Sequence, residues 1–283
     1  MAMRRAPAVA GTWYPATAGA LTRDVDAHLA GAGDWREGPV QAIVAPHAGM
    51  MFSGPVGAWA YKAAAAGQYE VIALVGPSHF VAFDGVALYP DGVFATPLGD
   101  VPIDADAARA LAHASVVREM PSAHRREHAL EMQLPFICRV LPGIPIVPLL
   151  IGGQTRDTII ALGDALAAAF RTRRALLVAS TDLSHYFDAA TAASLDGAVC
   201  ARLAAFDPEG LLERYEGYPE HERGRYVACG GGAAIAVMLA ARALGATAGR
   251  VLKYGHSGEI SGDHTGVVGY VAAAFGRFSP HDA

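Results

Sequence analysis

The chain has 283 residues, of which 53% are hydrophobic and 17% are charged, and its formal net charge is −5. This apolar content is enough to build a substantial core and excludes a disordered chain. The acidic balance and the lack of a basic block in the sequence exclude a typical nucleic-acid-binding protein.

The cysteine content and the lengths of the apolar runs indicate where in the cell the protein is expected. The cysteines are odd in number and show no CxxC spacing, which favours a reducing environment over a disulfide framework: Cys138, Cys200 and Cys229. An Arg-Arg pair at positions 4–5 is followed by an apolar stretch of only residues 6–11, which is too short for a signal-sequence core. No apolar run reaches membrane-spanning length. We therefore expect a cytoplasmic protein with no nucleic-acid or membrane partner, and a homo-oligomer is compatible with the sequence.

Predicted strands and helices alternate along the chain. Short apolar runs predict strands at residues 41–45, 71–75, 84–89, 144–151, 175–179 and 267–275. Helical patterns cover residues 21–30, 54–66, 104–114, 125–140, 155–170, 189–205 and 232–244, and Pro135 is expected to kink or shorten the fourth. Because several strands are apolar on both faces, this alternation predicts a three-layer α/β/α sandwich around a mainly parallel or mixed sheet. No linker or internal repeat interrupts the pattern, so we expect one domain over residues 1–283.

Three predicted buried strands are each followed by a loop that contains a histidine: His47, His79 and His185. In open α/β sheets, ligands bind beyond the carboxyl ends of the strands. Each of these residues taken alone is equally well interpreted as an ordinary loop histidine. Three histidines in the same structural position favour one shared cleft that could hold a metal ion.

Cys229 comes directly before three glycines and the predicted helix 232–244. A thiolate at a helix N-terminus is stabilised by the helix dipole, so Cys229 is a candidate nucleophile or metal ligand. The alternative is a small buried hydrophobe, which is how we interpret Cys138 and Cys200.

A metal ion bound by two histidines and one anionic donor keeps coordination positions open for substrate. A carboxylate as the third ligand is typical of Fe(II) sites, whereas a thiolate favours Zn(II) or Cu(I) and still allows Fe(II).

In this interpretation the third strand-end histidine has a different role. His185 would be an acid–base group beside the metal, and Asp182 is a candidate for orienting it.

A competing pattern lies at residues 124–128, with the sequence HRREH. It matches the inverted zinc-peptidase motif, in which two histidines one helical turn apart bind zinc and the glutamate activates water. The peptidase alternative therefore rests on His124, Glu127 and His128, and it requires an uninterrupted helix and another ligand downstream. A milder interpretation places His128 and Glu131, three residues apart, on one helix face where they line the cleft as substrate-binding groups.

A glycine-rich segment at residues 255–266 precedes the last predicted strand. Its glycines do not form the GxGxxG pattern and do not follow a strand, so dinucleotide binding is not supported. Two interpretations stay open: the segment closes over the cleft, or it is a surface turn. We favour the first for Asp263, which we predict to be a substrate-binding residue.

With these segments in view, ordered blocks along nearly the whole chain resemble the Memo family, whose bacterial branch is often called AmmeMemoRadiSam system protein B. The blocks include residues 9–15 (VAGTWYP), 44–49 (VAPHAG), 75–79 (VGPSH), 127–135 (EHALEMQLP), 180–186 (STDLSHY) and 228–230 (ACG). The resemblance implies a fold similar to that of class III extradiol ring-cleaving dioxygenases, an α/β/α sandwich.

The resemblance also implies roles for individual residues. By position, His47 and His79 match the two histidine ligands of the dioxygenases, and His185 matches their acid–base histidine. Cys229 falls where those enzymes supply a glutamate, which weighs against ring cleavage. The family implies a bound metal, with Fe(II) or copper expected first and zinc third.

Two functions follow as expectations from the resemblance. The first is a metal-dependent oxidoreductase that is similar to the dioxygenases. The second is a non-catalytic protein that binds a small-molecule or peptide ligand in a vestigial dioxygenase pocket.

Overall fold

The computed structural model describes residues 3–278 of the chain. Its strands are β1 (Arg4–Arg5), β2 (Val40–Ala45), β3 (Val71–Pro77), β4 (Val86–Leu88), β5 (Val93–Thr96), β6 (Gly99–Pro102), β7 (Val117–Glu119), β8 (Ile146–Ile151), β9 (Ala175–Ser180), β10 (His185–Phe187), β11 (Ala248–His256) and β12 (Val267–Gly276). Its α-helices are α1 (Ala18–Gly31), α2 (Met50–Ala64), α3 (Ala105–Ala112), α4 (Pro121–His124), α5 (Leu134–Val140), α6 (Arg156–Ala169), α7 (Ala189–Ala204), α8 (Pro208–Glu216), α9 (Arg223–Tyr226), α10 (Gly231–Ala243) and α11 (Gly258–Ser261).

The centre of the fold is a mixed nine-stranded sheet with the strand order β10-β12-β2-β9-β3-β8-β4-β7, in which β11 also pairs with β12. The four strands β2, β9, β3 and β8 are parallel neighbours. Strand β12 runs antiparallel to β2 on one side, and β4 runs antiparallel to β8 on the other. A separate three-stranded sheet joins β1, β5 and β6.

Helices cover both faces of the large sheet. Successive residues of its inner strands point to opposite faces, and the apolar side chains on each face pack against helices. In β3, residues Val71, Ala73 and Val75 belong to one buried core, which helices α3, α6, α7, α8 and α10 complete. The intervening Ile72 and Leu74 belong to a second core, which α1, α2 and α5 complete. Strands buried on both faces produce the continuous apolar runs in the sequence. The predicted α/β/α sandwich with a mixed sheet is therefore confirmed.

The predicted helix over residues 125–140 is wrong, since only Leu134–Val140 is α-helical. A single 3₁₀ turn, Glu131–Gln133, comes before it, and residues 125–130 are irregular. The Glu127 carboxylate accepts hydrogen bonds from the backbone N–H groups of His128 and Ala129, at 3.0 Å each. Side-chain bonds of this kind compete with the helical hydrogen-bond pattern. Pro135 sits in the first turn of α5, where a missing N–H costs nothing.

Strand β11 and helix α8 are among the elements that have no clear signal in the sequence. Strand β11 pairs with β12 and is half-buried along most of its length, so Arg250 and Lys253 interrupt its apolar residues. Helix α8 is short and begins at Pro208, with Asp207 as its N-cap.

Within residues 3–278, no single helix is long and apolar enough to cross a membrane. One sharply bent pair, Glu220–Tyr226 with Gly231–Ala243, reaches that length and composition only when its two parts are taken together.

Candidate metal centre

The strand register brings three loops together at one edge of the sheet. Ala45 of β2 pairs with Ser180 of β9, and Val75 of β3 pairs with Ala179, so the carboxyl ends of these parallel strands lie side by side. The loops that follow contribute to a cleft of about 490 Å³. Six of its lining residues carry most of the chemistry: Trp13, His47, His79, Asp182, His185 and Cys229.

Three of these residues form a donor set. One side-chain donor atom each from His47, His79 and Cys229 lies within 4.8 Å of the other two. The Sγ of Cys229 is 3.3 Å from the Nε2 of His47. Metal–nitrogen bonds of about 2.0 Å and metal–sulfur bonds of about 2.3 Å at tetrahedral angles place N and S roughly 3.5 Å apart. The spacing of His47 and Cys229 therefore fits a common metal ion without rearrangement.

His47 is 2% exposed, and a chain of buried hydrogen bonds fixes the orientation and tautomer of its ring. The Ser180 hydroxyl donates to the Ala129 carbonyl at 2.7 Å, so it must accept from the His47 Nδ1 at 3.0 Å. Gln133 Nε2 also donates to the Ser180 hydroxyl, at 2.8 Å. The Nδ1 of His47 thereby keeps its proton, and Nε2, which faces Cys229, is the atom that either carries a second proton or binds a metal ion.

His79 is oriented by a buried carboxylate. Its backbone N–H and its Nδ1 donate to the two oxygens of Glu127, at 2.6 and 2.9 Å. Burial raises the pKa of Glu127, but the hydrogen bonds and charge of His79 outweigh burial and lower that pKa to about 2.

The thiol of Cys229 also has a strongly perturbed environment. It lies just before α10, where its Sγ accepts the backbone N–H of Asp182 at 3.3 Å. Burial raises the pKa of this thiol, but the charge of His47 and hydrogen bonds from His47 and His79 outweigh burial and lower it to about 6. Burial lowers the pKa of His79, and its contacts with Cys229 and Glu127 raise it to about 10. A metal ion would therefore displace the His79 proton when it binds.

Asp182 is predicted to orient His185, but in the structure it is hydrogen-bonded to a different residue. Both residues line the cleft, but no hydrogen bond joins them within residues 3–278. The Oδ1 of Asp182 instead accepts the backbone N–H of His47 at 2.8 Å, so Asp182 holds a candidate ligand loop. Burial raises the pKa of Asp182, and the charge of His185 opposes this rise. The Nδ1 of His185 is buried and has no hydrogen-bond partner in the described chain.

The structure brings His128 to the cleft but not Glu131. The ring of His128 stacks on His79 at 4.6 Å and lies 4.3 Å from the ring of Trp13. Burial, together with the charges of His47 and His79, lowers the pKa of His128 to about 3, so it is neutral. Glu131 is fully buried elsewhere, because it forms an ion pair with Arg5 at 2.5 Å and accepts a hydrogen bond from Tyr14. Without the predicted continuous helix, His128 and Glu131 do not share a face.

The zinc-peptidase interpretation is also wrong. Helix α4 ends at His124, so the three motif residues are not on one helix. His124 is 1% exposed and its Nε2 lies 3.1 Å from the Ala87 carbonyl oxygen, within the core. Within residues 3–278, two groups of side chains are close enough together to hold a metal ion. One is the set His47, His79 and Cys229, and the other is the set His79, Glu127 and His128. His124 belongs to neither group.

Asp263 does not line the cleft. Its Oδ1 accepts the backbone N–H and the hydroxyl of Thr265, at 2.9 and 2.7 Å, in an exposed turn. These two hydrogen bonds stabilise a tight surface turn, which accounts for the polar residues before β12.

Sequence reasoning misses several groups that shape the site. Trp13 comes from the N-terminal segment, and Arg225 comes from the short helix α9; both line the cleft. Ser180 and Gln133 act behind His47. Trp13, Gln133 and Ser180 lie in blocks that resemble the Memo family, but the blocks alone give these residues no role. Glu127 lies directly before His128 in the HRREH pattern, which indicates a different role.

Comparisons with known proteins agree on one family. The family model described as Memo-like protein matches residues 5–274. A MEMO1 family protein of Methanopyrus kandleri is 38% identical, over 97% of this chain and 100% of its own length. One from Nitrosopumilus maritimus is 34% identical, over 96% of this chain and 100% of its own length.

A solved structure supports the fold. It is that of an uncharacterized protein from Escherichia coli K12, which superposes with a TM-score of 0.58 over 84% of this chain and 100% of its own, at 15% identity. At that identity the likeness concerns the fold alone. From the family match and the full-length relatives, we conclude that the chain belongs to the Memo-like protein family.

Proposed function

We propose that this Memo-family chain is a metal-binding redox protein whose transition-metal ion is bound by His47, His79 and Cys229. The proposal rests on the convergence of three donor atoms within 4.8 Å of one another in an open cleft. Two imidazoles and one thiolate leave at least one metal position for a substrate or oxidant. The thiolate favours a soft ion such as Cu(I) or Zn(II), and the set also accommodates Fe(II). We propose iron or copper as the working ion and zinc as the third option.

The bound metal would supply a Lewis-acid and redox centre with an open coordination position. The protein's own residues supply the surroundings. We assign to His185 the transfer of a substrate proton, because it lines the same cleft and its Nδ1 has no partner within the described residues. Asp182 positions the His47 loop through its hydrogen bond to the backbone. Trp13 and His128 form a ring-lined wall that excludes water from one side of the cleft.

Metal analysis of protein purified without a His-tag tests the ligand set. We expect one transition-metal ion per chain in the wild type and almost none in the Cys229→Ala, His79→Ala double variant. Cys138→Ala is the matched control, since Cys138 lies outside the cleft and should leave the metal content unchanged. Full metal occupancy in the double variant would reject the proposed ligands.

A binding protein without turnover is the second candidate function. The observation that favours it is the thiolate of Cys229 in place of the glutamate of the dioxygenases that the sequence resembles. Oxygen uptake by anaerobically Fe(II)-loaded protein, measured with a panel of catechols, separates the two functions. Uptake that is lost in His185→Gln supports a redox enzyme, and the absence of uptake by fully metal-loaded protein supports the binding role.

A further inference from the structure

We propose that Arg225 makes the cleft a binding site for a small planar organic carboxylate, with the carboxylate on Arg225 and the planar body against Trp13 and His128. This inference rests on the proposed function for the location of the reacting centre. The recognition of the anion rests on the protein's own side chains and does not need a metal.

Arg225 is a cationic side chain of the cleft whose charge is not neutralised. It belongs to helix α9 and lines the cleft together with His47, His79 and Cys229. Within residues 3–278, Arg225 forms no ion pair and no side-chain hydrogen bond. Other exposed arginines pair with a carboxylate, for example Arg156 with Glu216. An exposed guanidinium at the edge of a cleft is free to bind an anion with two parallel hydrogen bonds.

Aromatic rings hold this guanidinium in place without cancelling its charge. The carbon at its centre lies 4.8 Å from the ring centroid of Phe187 and 5.8 Å from that of Tyr226. Tyr226 stacks in turn on Tyr218 at 4.9 Å. Cation–π contact restricts the side chain and leaves the N–H groups at its edge available, so less entropy is lost when an anion binds.

The cleft carries little negative charge to compete with a ligand. Asp182 is its acidic lining residue, and this carboxylate is 4% exposed and already accepts the backbone N–H of His47. Arg225 is the fixed positive charge at the edge of the cleft. The local field there favours an anion, although the chain as a whole has a net charge of −5.

The shape and lining of the cleft define the rest of the ligand. A volume of about 490 Å³ is in the range of small-molecule sites. Trp13 is 37% exposed and offers flat, largely apolar ring surface to the cleft. The ring of His128 lies 4.3 Å from it at a tilt of 53° and closes one side of this surface. Tyr186 borders the cleft with 70% of its surface exposed and a φ of +63°, a backbone conformation that is uncommon for non-glycine residues. A single guanidinium matches one negative charge, which favours a carboxylate over a phosphate dianion.

Direct binding measurements test the inference with benzoate as the probe. We expect benzoate to quench the fluorescence of Trp13 and to bind wild-type protein at least ~10-fold more tightly than the uncharged benzamide does. In Arg225→Gln the benzoate affinity should fall by ~10-fold or more, while benzamide binding stays the same. Arg171→Gln is the matched control. Arg171 is also exposed and has no ion pair within residues 3–278, but it lies before β9, at the end of that strand opposite to the cleft. It should bind benzoate as the wild type does.

Equal benzoate affinity in Arg225→Gln and wild type would overturn the inference. Equal affinities for benzoate and benzamide in the wild type would do so as well, and so would tighter Arg225-dependent binding of phenyl phosphate than of benzoate. The titrations are run on both chelator-treated and metal-loaded protein, and the metal content of each variant is measured. If the wild type retains no metal but Arg225-dependent benzoate binding persists, the metal proposal fails and this inference stands. If Arg225→Gln loses metal as well as benzoate, Arg225 acts through the metal centre and the inference is wrong.

Discussion

The chemistry of the cleft depends on which atoms of two histidines face one thiol. The Nδ1 of His47 is engaged by Ser180, and the Nδ1 of His79 is engaged by Glu127. Both histidines are thereby oriented by partners behind them, which is the usual arrangement of metal-binding histidines. The thiol of Cys229 responds to the same two rings, so its acidity reports on the integrity of the site.

The first prediction concerns the acidity of Cys229 in metal-free protein. Because the pKa of this thiol is lowered to about 6, most of it is thiolate at pH 7. The rate of alkylation by iodoacetamide, followed by mass spectrometry at Cys229, should therefore rise with a midpoint near pH 6. Burial raises the pKa of Cys200 to about 12, so Cys200 is an internal control that should react little below pH 9. A midpoint for Cys229 near that of a free thiol, about 8.5, would contradict the arrangement.

The second prediction concerns the hydrogen bond behind His47. In Ser180→Ala the His47 ring loses the acceptor that fixes its tautomer, so metal affinity should fall about 10–100-fold in a competition titration with a chelator. The control is Thr96→Ala, which removes a buried hydroxyl that donates to the Gly99 carbonyl at 2.8 Å and does not line the cleft. Equal affinities for the wild type and Ser180→Ala would show that Ser180 does not position His47.

Among single residues, the candidate metal ligands are easier to recognise in the sequence than the residues that form hydrogen bonds behind them. His47, His79 and Cys229 are recognisable because each follows a buried strand or precedes a helix. Ser180 and Gln133 are not, since the hydrogen bond between them joins residues 47 positions apart, and only the strand register makes them neighbours. Glu131 lies away from its predicted place in the cleft for a related reason, because its partner Arg5 is 126 positions away in the sequence.

Close contact between elements places Cys229 at the start of α10. Gly230, the N-cap of this helix, lies against the end of β9, where an added Cβ would come 2.5 Å from the Ser180 carbonyl oxygen and 3.0 Å from the Cβ of Thr181. Backbone atoms of a central strand cannot move away easily. The glycine after Cys229 is therefore required by packing between a helix and a strand, in addition to any role in approaching a ligand.

The third prediction uses this contact. Gly230→Ala should lower the free energy of unfolding by about 1–3 kcal/mol in urea denaturation, because the new methyl group overlaps the backbone of β9. Gly197→Ala is the matched control in helix α7, where an added Cβ meets nothing within 4 Å. That substitution should raise stability by up to about 1 kcal/mol, since alanine favours a helix more than glycine does. Equal destabilisation by both substitutions would contradict the packing account.

Sequence periodicity locates most of the large elements, because strands buried on both faces and long helices each have a regular apolar pattern. It fails where side chains compete with the backbone or where a strand is half-buried. At residues 125–130 the Glu127 carboxylate captures N–H groups that a helix would use. In β11, Arg250 and Lys253 break the apolar run.

At the scale of the whole molecule, the parallel order β2-β9-β3 gathers loops that are far apart in the sequence at one edge of the sheet. This topology explains why strand-end histidines predict a common cleft. Arg225, which lines the cleft from the short helix α9, has no comparable signal. The relatives align over essentially their whole length, so the family match concerns the complete arrangement of strands and loops. The single domain over residues 1–283, the cytoplasmic location and the absence of nucleic-acid and membrane partners stay predictions.

The central claim is that His47, His79 and Cys229 bind one transition-metal ion. Anomalous-scattering maps collected at the iron, copper and zinc edges from crystals of untagged protein identify the ion and its ligands together. We predict one strong peak per chain, about 2.0–2.3 Å from a ring nitrogen of each histidine and from the Cys229 Sγ. Metal-loaded crystals in which the peak lies away from these three residues, or in which Cys229 is not a ligand, would contradict the account.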